Sequence, residues 1–235
     1  MIPAYNEEAR LPATLTSVTG YLRSRAYTFA EVVVVDDGSS DGTAQVVERF
    51  SAEHTEVWLL RNPGNRGKGY SVRHGVLEAR GEWVLFSDAD LSAPIEELDT
   101  LAAAARERQA SIVIGSRAIN RKLIGVHQSF FRENAGRVFN LCMRLLVGLP
   151  FRDTQCGFKL MAARPAREVF ARQRIDGFGF DVEALFIGQK LGYRAVEVPV
   201  RWNHVEGTKV GMLLGLNAFL DLARVRWYQW RGYYR

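Results

Sequence analysis

Residues 81–94 have the sequence GEWVLFSDADLSAP, an apolar run that ends in two closely spaced aspartates. The run Trp83–Phe86 has the aromatic and aliphatic composition that is typical of a strand. Asp88 and Asp90 follow directly after it. We therefore expect two carboxylates at the carboxyl edge of a sheet.

The spacing of these two carboxylates suggests a metal site. Side chains two residues apart on an extended chain point the same way, so Asp88 and Asp90 are expected to converge on one cation. Their hard oxygen ligands suit Mg²⁺ or Mn²⁺, and Mg²⁺ held by one or two carboxylates takes its other ligands from substrate phosphates and water. The alternative is an Asx turn that caps a helix starting near Pro94. The rest of the chain favours the metal site.

Strand-like and helix-like segments alternate on both sides of this stretch up to residue 117. Val32–Val35 is a continuous β-branched run, which predicts a strand buried on both faces. The other strand candidates are a short start before Pro3 and the runs 57–60 and 111–115. Strands joined by helices follow right-handed crossovers, so this order predicts an α/β fold with a largely parallel sheet.

Ligands of parallel sheets bind beyond the carboxyl ends of the strands. Five polar segments are predicted at that edge, namely residues 3–7, 36–37, 65–69, 88–90 and 117. The loop 61–69, RNPGNRGKG, contains three glycines and three cations, and it can bring backbone N–H groups and positive charge to a phosphate. It matches neither the P-loop nor the G-x-G-x-x-G pattern. This co-location favours a site that binds a nucleotide or a diphosphate through a metal.

Composition limits the remaining possibilities. The chain has 235 residues, 47% of them hydrophobic, which is enough for one large α/β domain. Its formal net charge of +5 suits phosphates or a lipid surface, and the cations form no nucleic-acid motif, so we expect no nucleic-acid partner. Two cysteines, Cys142 and Cys156, predict no disulfide framework and a reducing, cytoplasmic setting. We expect no bilayer-spanning run and no signal peptide.

The second half of the chain is less regular. Residues 117–149 carry six cations against the single acid Glu133, and apolar residues are interleaved with them. This pattern predicts either a helix packed on the sheet with a solvated basic face or a surface that meets anionic lipid. Residues 178–183 predict a helix start with Asp181 and Glu183 at its favourable N-terminal end. The run Ala195–Trp202 predicts a further strand.

The C-terminal residues form one helical stripe accompanied by arginines. The stripe consists of Met212, Leu216, Phe219, Leu220, Ala223, Trp227 and Trp230. The arginines are Arg224, Arg226, Arg231 and Arg235. Packing against the domain would explain a stripe alone, but the aromatic cluster with four arginines favours a membrane interface.

Six motifs occur together and in order along nearly the whole chain. They are PAYNE (3–7), VVVVDDGSSDGT (32–43), NRGKG (65–69), DADLSAP (88–94), GSR (115–117) and DTQCGFK (153–159). In this ordered set the chain resembles the family 2 inverting glycosyltransferases of GT-A fold, and most of all their dolichyl-phosphate β-glucosyltransferase branch. The resemblance implies a single GT-A domain over 1–209, with a nucleotide-sugar-binding half at 1–117 and an acceptor half at 118–209. Residues 210–235 would form the C-terminal amphipathic helix.

The resemblance also implies a role for each motif residue. The nucleotide-sugar set is Pro3, Tyr5, Glu7, Asp36, Asp37, Asn65, Lys68, Asp88, Arg117 and Arg132. Within it the first five would surround the base and ribose, and Lys68, Arg117 and Arg132 would face the phosphates. Asp88 and Asp90 would hold the metal. The acceptor side would use Asp153, Gln155, Arg201 and Lys209.

The expected reaction moves glucose from UDP-glucose to a polyprenyl or dolichyl phosphate with inversion at the anomeric carbon. Asp90 would be catalytic through the metal, which stabilises the leaving UDP. A phosphate monoester has a second pKa of about 6, so such an acceptor needs no general base. A sugar hydroxyl would need one. By the same resemblance, Asp181 is at the position of the general base in related transferases that use a hydroxyl acceptor. Glu183 and Asp153 are the alternative candidates for this base.

Other functions remain open from the sequence. One is a GDP-mannose-dependent dolichyl-phosphate mannosyltransferase, and another is a family 2 transferase acting on a cell-surface polysaccharide or a soluble sugar. A third is a non-catalytic nucleotide-binding module on membranes. Related mannosyltransferases have a glutamine at the position of Ser92. The serine favours the glucosyl branch or a metal site with weaker binding. The short first strand suggests a missing start. The expected location is the cytoplasmic face of a membrane.

Overall fold

The computed structural model describes residues 1–126, 143, 146–203 and 212–235, without the side chains of Arg121, Val126 and residues 212–219. The predictions for Arg132, Cys142, Lys209 and most of the basic stretch 117–149 therefore lie outside the described residues. Within the described ranges the chain forms an α/β fold, as the alternation of strands and helices predicts.

The first half alternates strand and helix as expected. Its elements are β1 (Ile2–Ala4), α1 (Leu11–Arg23), β2 (Val32–Asp36), α2 (Thr43–Glu53), β3 (Val57–Arg61), α3 (Lys68–Glu78), β4 (Trp83–Ser87), α4 (Glu97–Glu107) and β5 (Ile112–Ser116). All five residues of β2 are buried, which agrees with a strand covered on both faces. Pro12 lies in the first turn of α1, where its missing N–H leaves no helical bond unmade.

The second half adds short strands and three helices to the described chain. A 3₁₀ turn at Arg121–Leu123 is followed by β6 (Ile124–Val126), β7 (Phe158–Ala162), α5 (Ala163–Arg172), α6 (Phe180–Lys190), β8 (Ala195–Pro199), β9 (Trp202–Asn203) and α7 (Met212–Trp230). The single strand expected over Ala195–Trp202 is thus two strands. β8 pairs with β5, whereas β9 leaves the sheet to pair with β6.

The sheet differs from the expected one in one respect. β1, β2 and β3 are parallel, but β7 runs antiparallel between β4 and β5. Met1 joins the two parts, since its nitrogen donates to Leu85 O (2.7 Å) and its carbonyl accepts from Ser87 N (3.1 Å). The order is therefore β3-β2-β1-β4-β7-β5-β8. Alternation along the first 117 residues cannot predict that a strand from much later in the chain separates β4 from β5.

This topology gathers the polar segments at one edge. β1, β2, β4 and β5 end there, because strands linked by helical crossovers point the same way. β7 runs in the opposite direction and its first residue, Phe158, pairs with Ser87, the last residue of β4. The segment 153–157 before β7 therefore reaches the edge at which the segment 88–90 leaves β4.

The C-terminal helix packs on the domain with one face and exposes the other. Leu222 and Val225 are buried in the largest hydrophobic cluster of the described residues, together with Tyr234 beyond the helix end. Leu220, Trp227 and Trp230 are exposed, the last at 79%. The predicted helix is confirmed. The described members of the predicted stripe, Leu220, Ala223, Trp227 and Trp230, are exposed, whereas Leu222 and Val225 pack on the domain. The membrane interface remains a prediction. Across the described ranges, no helix combines the length and apolar character needed to cross a membrane.

Candidate active site

The end of β2 is fixed to the glycine-rich loop by one carboxylate. Asp37 is buried, and its Oδ1 accepts hydrogen bonds from Asn62 Nδ2 (2.7 Å) and Arg66 N (3.0 Å). Its Oδ2 accepts one from Gly67 N (2.8 Å). A buried carboxylate is stable when N–H donors satisfy it, and here all three donors belong to the loop 61–69. Asp37 therefore positions this loop, while its predicted contact with the nucleotide remains a prediction.

The segment 3–7 lies against the same region. Asn6 N donates to Ser39 Oγ (2.9 Å), Asn6 Oδ1 accepts from Ser40 N (2.8 Å), and Glu7 N donates to Thr43 Oγ1 (2.7 Å). These contacts bring the PAYNE motif to the DDGSSDGT motif, as the fold predicts. Of the other residues assigned to the base and ribose, Tyr5 is exposed, Pro3 pairs with Val35 in the sheet, and Asp36 is buried with its Oδ1 accepting from Ser39 N.

Lys68 connects the glycine-rich loop to the aspartates after β4. It is the first residue of α3, and its Nζ lies 2.7 Å from Asp88 Oδ1. Burial lowers the pKa of Lys68, but the carboxylates of Asp88, Asp181 and Asp90 outweigh it, so the net shift is upward. Lys68 is therefore a charged ammonium at the sheet edge. Asn65, three residues earlier in the same loop, is exposed.

The segment Asp88–Asp90 is a turn and not the extended chain that the spacing predicts. Leu91 N donates to Asp88 O (3.3 Å), and Asp90 Oδ1 accepts from Ser92 N (2.9 Å). The Asx turn is thus present at Asp90, and β4 ends at Ser87 before either aspartate. Both carboxylates raise the pKa of Lys68, and Asp88 Oδ1 lies 2.7 Å from its Nζ. The convergence of the two side chains on one metal ion remains a prediction.

The donor set of this turn fits a divalent metal. Among the described residues, Asp88 Oδ1 is a buried oxygen that accepts no well-directed hydrogen bond, although Lys68 Nζ is its ion-pair partner. The backbone of Gly157 leaves room for this side chain, since a Cβ there would lie 1.9 Å from Asp88 Oδ2. Groups of three or more His, Cys, Asp or Glu suited to a metal do not occur in the described part. Two carboxylates with substrate oxygens match the mode that Mg²⁺ prefers.

On the acceptor side the structure pairs two predicted residues with each other. Arg117 donates to both carboxylate oxygens of Asp153, from Nε (2.7 Å) and Nη2 (2.8 Å), and its backbone N adds a third bond (3.0 Å). The guanidinium holds the pKa of Asp153 down against the effect of burial. The Arg117 side chain lies over the Trp202 ring at 5.4 Å. Gln155 is half-buried, and Arg201 is exposed and paired with Glu97.

Asp181 lies below the edge and not on it. Only 5% of the residue is exposed, and Lys159 Nζ donates to its carboxylate. Burial raises the pKa of Asp181, and Lys159 and Lys68 oppose that shift. Lys159 also donates to Cys156 O (2.5 Å). The sequence predictions did not assign a role to Lys159. The available signal was a lysine between Phe158 and the apolar residues Leu160 and Met161, in a segment that predicts a strand.

Glu183 has a third kind of environment. Its carboxylate is fully buried, and it accepts hydrogen bonds from Ile175 N (2.8 Å), Arg174 N (3.0 Å) and Tyr234 Oη (2.7 Å). The segment that it holds supports the glycine-rich loop, because Asp176 O accepts from Gly69 N (2.7 Å). Glu183 therefore positions main chain and is not directed at the sheet edge.

One chain of contacts joins all six motifs. Asn6 contacts Ser39 and Ser40, Asp37 contacts Gly67, Lys68 contacts Asp88, Asp88 N donates to Gly157 O (3.1 Å), and Arg117 contacts Asp153. A mostly parallel sheet carries two neighbouring aspartates and a cationic glycine loop at one edge, which is the arrangement expected of the glycosyltransferases that the motifs resemble. These features define the class of protein.

Comparison with known proteins identifies the family. The family model described as "Glycosyl transferase family 2" matches residues 1–137, and the chain belongs to this family. Relatives include the dolichyl-phosphate β-glucosyltransferases of Drosophila melanogaster (38% identity, 89% of this chain, 68% of the relative) and Homo sapiens (34%, 89% and 68%). The protein is a glycosyltransferase, as the motifs predict.

Solved structures agree with the fold. Glucosyl-3-phosphoglycerate synthase of Mycobacterium tuberculosis, in complex with Mn²⁺, UDP-glucose and phosphoglyceric acid, superposes with a TM-score of 0.66. The match covers 95% of this chain and 77% of that one at 17% identity. Mannosyl-3-phosphoglycerate synthase of Rubrobacter xylanophilus gives a TM-score of 0.66 at 20% identity, over 98% and 73%. The predicted GT-A fold is confirmed.

Proposed function

We propose that the protein transfers glucose from UDP-glucose to a dolichyl or other polyprenyl phosphate, with inversion at the anomeric carbon. The contact chain that brings all six motifs to one sheet edge is the observation that carries this proposal. The dolichyl-phosphate β-glucosyltransferases among the relatives support the sugar and the lipid acceptor. The structural neighbour with UDP-glucose and Mn²⁺ supports the donor and a divalent metal.

In this proposal the donor diphosphate binds between the glycine-rich loop and the turn 88–90. Asp88 and Asp90 would hold Mg²⁺ or Mn²⁺, which supplies Lewis-acid stabilisation of the leaving diphosphate when it is bound. Lys68 adds an ammonium next to Asp88, and Arg117 adds a guanidinium at the same sheet edge. Both charges would stabilise the negative charge that develops on the leaving diphosphate. Arg132, outside the described residues, stays a candidate for the same role.

The environment of Asp181 favours a phosphate acceptor over a hydroxyl. A general base must reach the proton that it removes, but this carboxylate is buried and paired with Lys159. A dianionic phosphate needs no such base. Exchange of Asp181 for Asn is therefore expected to reduce transfer much less than exchange of Asp90 in protein whose fold is intact. Arg201, Gln155 and Lys209 remain candidates for holding the acceptor.

The exposed face of α7 fits a peripheral position on a membrane. Trp227 and Trp230 are exposed beside four exposed arginines, Arg224, Arg226, Arg231 and Arg235. Aromatic rings prefer the headgroup level of a bilayer, and arginine side chains are attracted to anionic lipids. At the bilayer surface the protein would encounter a lipid-linked acceptor. We place the protein on the cytoplasmic face, where nucleotide sugars are available.

One incubation tests the reaction. Purified protein is mixed with Mn²⁺, a short polyprenyl phosphate and each of several radiolabelled nucleotide sugars, and the mixture is extracted into organic solvent. We expect label from UDP-glucose in the organic phase and a β-linked glucosyl phosphate in that product. Label from GDP-mannose instead would favour the mannosyl alternative.

Two further outcomes would overturn the proposal. Labelled sugar in a water-soluble oligosaccharide, with none in the organic phase, would indicate an acceptor with a hydroxyl group. Binding of UDP-glucose with no turnover in any mixture would indicate a non-catalytic nucleotide-binding module.

The membrane contact has its own test. We expect Trp227→Ala with Trp230→Ala to reduce binding to phosphatidylserine-containing vesicles at least tenfold in a sedimentation assay, with unchanged transfer to a detergent-solubilised acceptor. The exposed aromatic Trp83, at the opposite end of β4 from the turn 88–90, provides the control as Trp83→Ala. Equal vesicle binding by all three proteins would contradict the contact.

A further inference from the structure

The ammonium of Lys68 lies against Asp88, one of the two carboxylates that would hold the metal. Its Nζ is 2.7 Å from Asp88 Oδ1, the buried oxygen that otherwise accepts no well-directed hydrogen bond among the described residues. The rings of Phe86 and Phe178 lie 5.5 and 5.8 Å from the same nitrogen. A cation between two aromatic faces and a carboxylate is electrostatically well accommodated.

The main chain that carries this lysine is rigidly held. Gly67 has a φ of +98°, and its N donates to Asp37 Oδ2 (2.8 Å). Gly69 N donates to Asp176 O, and a Cβ at Gly69 would lie 2.3 Å from Ile175 O. These bonds and close contacts hold the main chain on both sides of Lys68. Side-chain rotation, of Lys68 or of Asp88, is enough to change the Lys68–Asp88 contact.

We propose that Lys68 is a built-in competitor of the metal, so that the metal and the donor diphosphate bind tightly only together. The inference rests on the metal site of the proposed function and adds the order that the lysine imposes on it. A divalent ion and an ammonium on one carboxylate oxygen repel each other, so metal binding displaces the lysine. An ammonium that has lost its carboxylate partner is stabilised by a new anion, and the diphosphate provides one.

Thermodynamic linkage makes this coupling measurable. If UDP increases the affinity for metal by some factor, metal increases the affinity for UDP by the same factor. Removal of the lysine charge takes away the cation that competes with the metal for Asp88. It also takes away the cation that attracts the diphosphate. The metal should then bind better without nucleotide, and UDP should increase metal affinity less.

Direct binding of Mn²⁺ tests the proposal without reference to turnover. Free Mn²⁺ is measured by electron paramagnetic resonance in titrations of the full chain with and without UDP. For the unaltered protein we expect UDP to tighten Mn²⁺ binding at least thirtyfold. For Lys68→Met we expect Mn²⁺ without UDP to bind at least fivefold tighter than in the unaltered protein, and the UDP effect to fall to less than fivefold. Lys190→Met, at an exposed helix end, should behave like the unaltered protein.

A second variant covers the case in which Lys68→Met fails to fold. Lys68→Arg keeps a cation at the same position, and its UDP effect should remain above tenfold. The proposal is overturned if Mn²⁺ without UDP binds to folded Lys68→Met no more tightly than to the unaltered protein, or if Lys68→Arg loses the UDP effect. A failure of the proposed function looks different, because Asp88→Asn would then bind Mn²⁺ in the presence of UDP as well as the unaltered protein does.

Discussion

The carboxylates at the ends of β2 and β4 are chemically alike but differently used. Asp37, after β2, has both oxygens occupied by three N–H donors of the chain. Asp88, after β4, has a buried oxygen whose described partner is one ammonium. A saturated carboxylate is part of the architecture, whereas an oxygen left with one exchangeable cation can take a ligand. The difference separates the residues that build the site from those that we expect to act in it.

The largest effect is expected at the end of β4. Asp90→Asn keeps the Oδ1 that accepts from Ser92 N but removes the charge that the metal needs. We expect transfer of glucose to the lipid to fall by about 10³-fold or more, with a change in unfolding free energy below about 1 kcal/mol. Organic-phase product counts and denaturant unfolding measure the two quantities. Asp99→Asn, on the exposed side of α4, is the matched control, and near-normal transfer by Asp90→Asn would defeat the metal assignment.

A steric change at Gly157 should give the next largest effect. Its Cβ in Gly157→Ala would clash with the Asp88 carboxylate, whose closest oxygen lies 1.9 Å away. Displacement of a ligand by about 1 Å costs on the order of 10²-fold in rate, and we expect that loss in transfer. Gly20→Ala, which meets no atom within 4 Å in α1, should leave the rate unchanged. Full transfer by Gly157→Ala would show that the position of Asp88 is unimportant.

A substitution of Asp37, at the end of β2, is expected to lower the free energy of unfolding. Asp37→Asn replaces one accepting oxygen by an NH₂ group, so at least one N–H of Gly67, Arg66 or Asn62 loses its partner. A buried donor without a partner costs about 1–3 kcal/mol in unfolding free energy. Urea unfolding of this variant beside Asp90→Asn measures the contrast directly. If Asp37→Asn retained full stability and lost transfer, the carboxylate would belong with the ligand-binding group.

The smallest effect on transfer is expected at Tyr234, which contacts the glycine-rich loop only indirectly, through Glu183 and the segment 174–176. Tyr234→Phe removes the hydroxyl that donates to buried Glu183, which in turn holds Arg174 N and Ile175 N. We expect a loss of about 1 kcal/mol in unfolding free energy and at most a few-fold change in transfer. Tyr233→Phe, with an exposed ring, is the control. A loss of transfer without a loss of stability would indicate a direct role for the C-terminal residues.

Much of this site could be predicted from the sequence, for a physical reason. The motif segments lie at chain positions where buried runs end, and the hydrophobic pattern that marks those ends is local. Asp88, Asp90, Lys68 and Arg117 are therefore placed at one edge as expected. The hydrogen-bond and ion-pair partners of the site residues were harder to predict from the sequence. Arg117 and Asp153 are 36 residues apart, and Lys159 and Asp181 are 22 apart, so only folding brings each pair together.

The sequence by itself determined the alternation of strands and helices, the buried β2 run, and the identity and order of the six motifs, because these depend on composition and period within short segments. The tertiary structure decided that β7 separates β4 from β5, that Asp37 is saturated and that Asp181 is paired with a buried lysine. Each of these depends on which distant donor or strand reaches a given position. Long-range pairing fixes that choice, and local propensity contains no information about it.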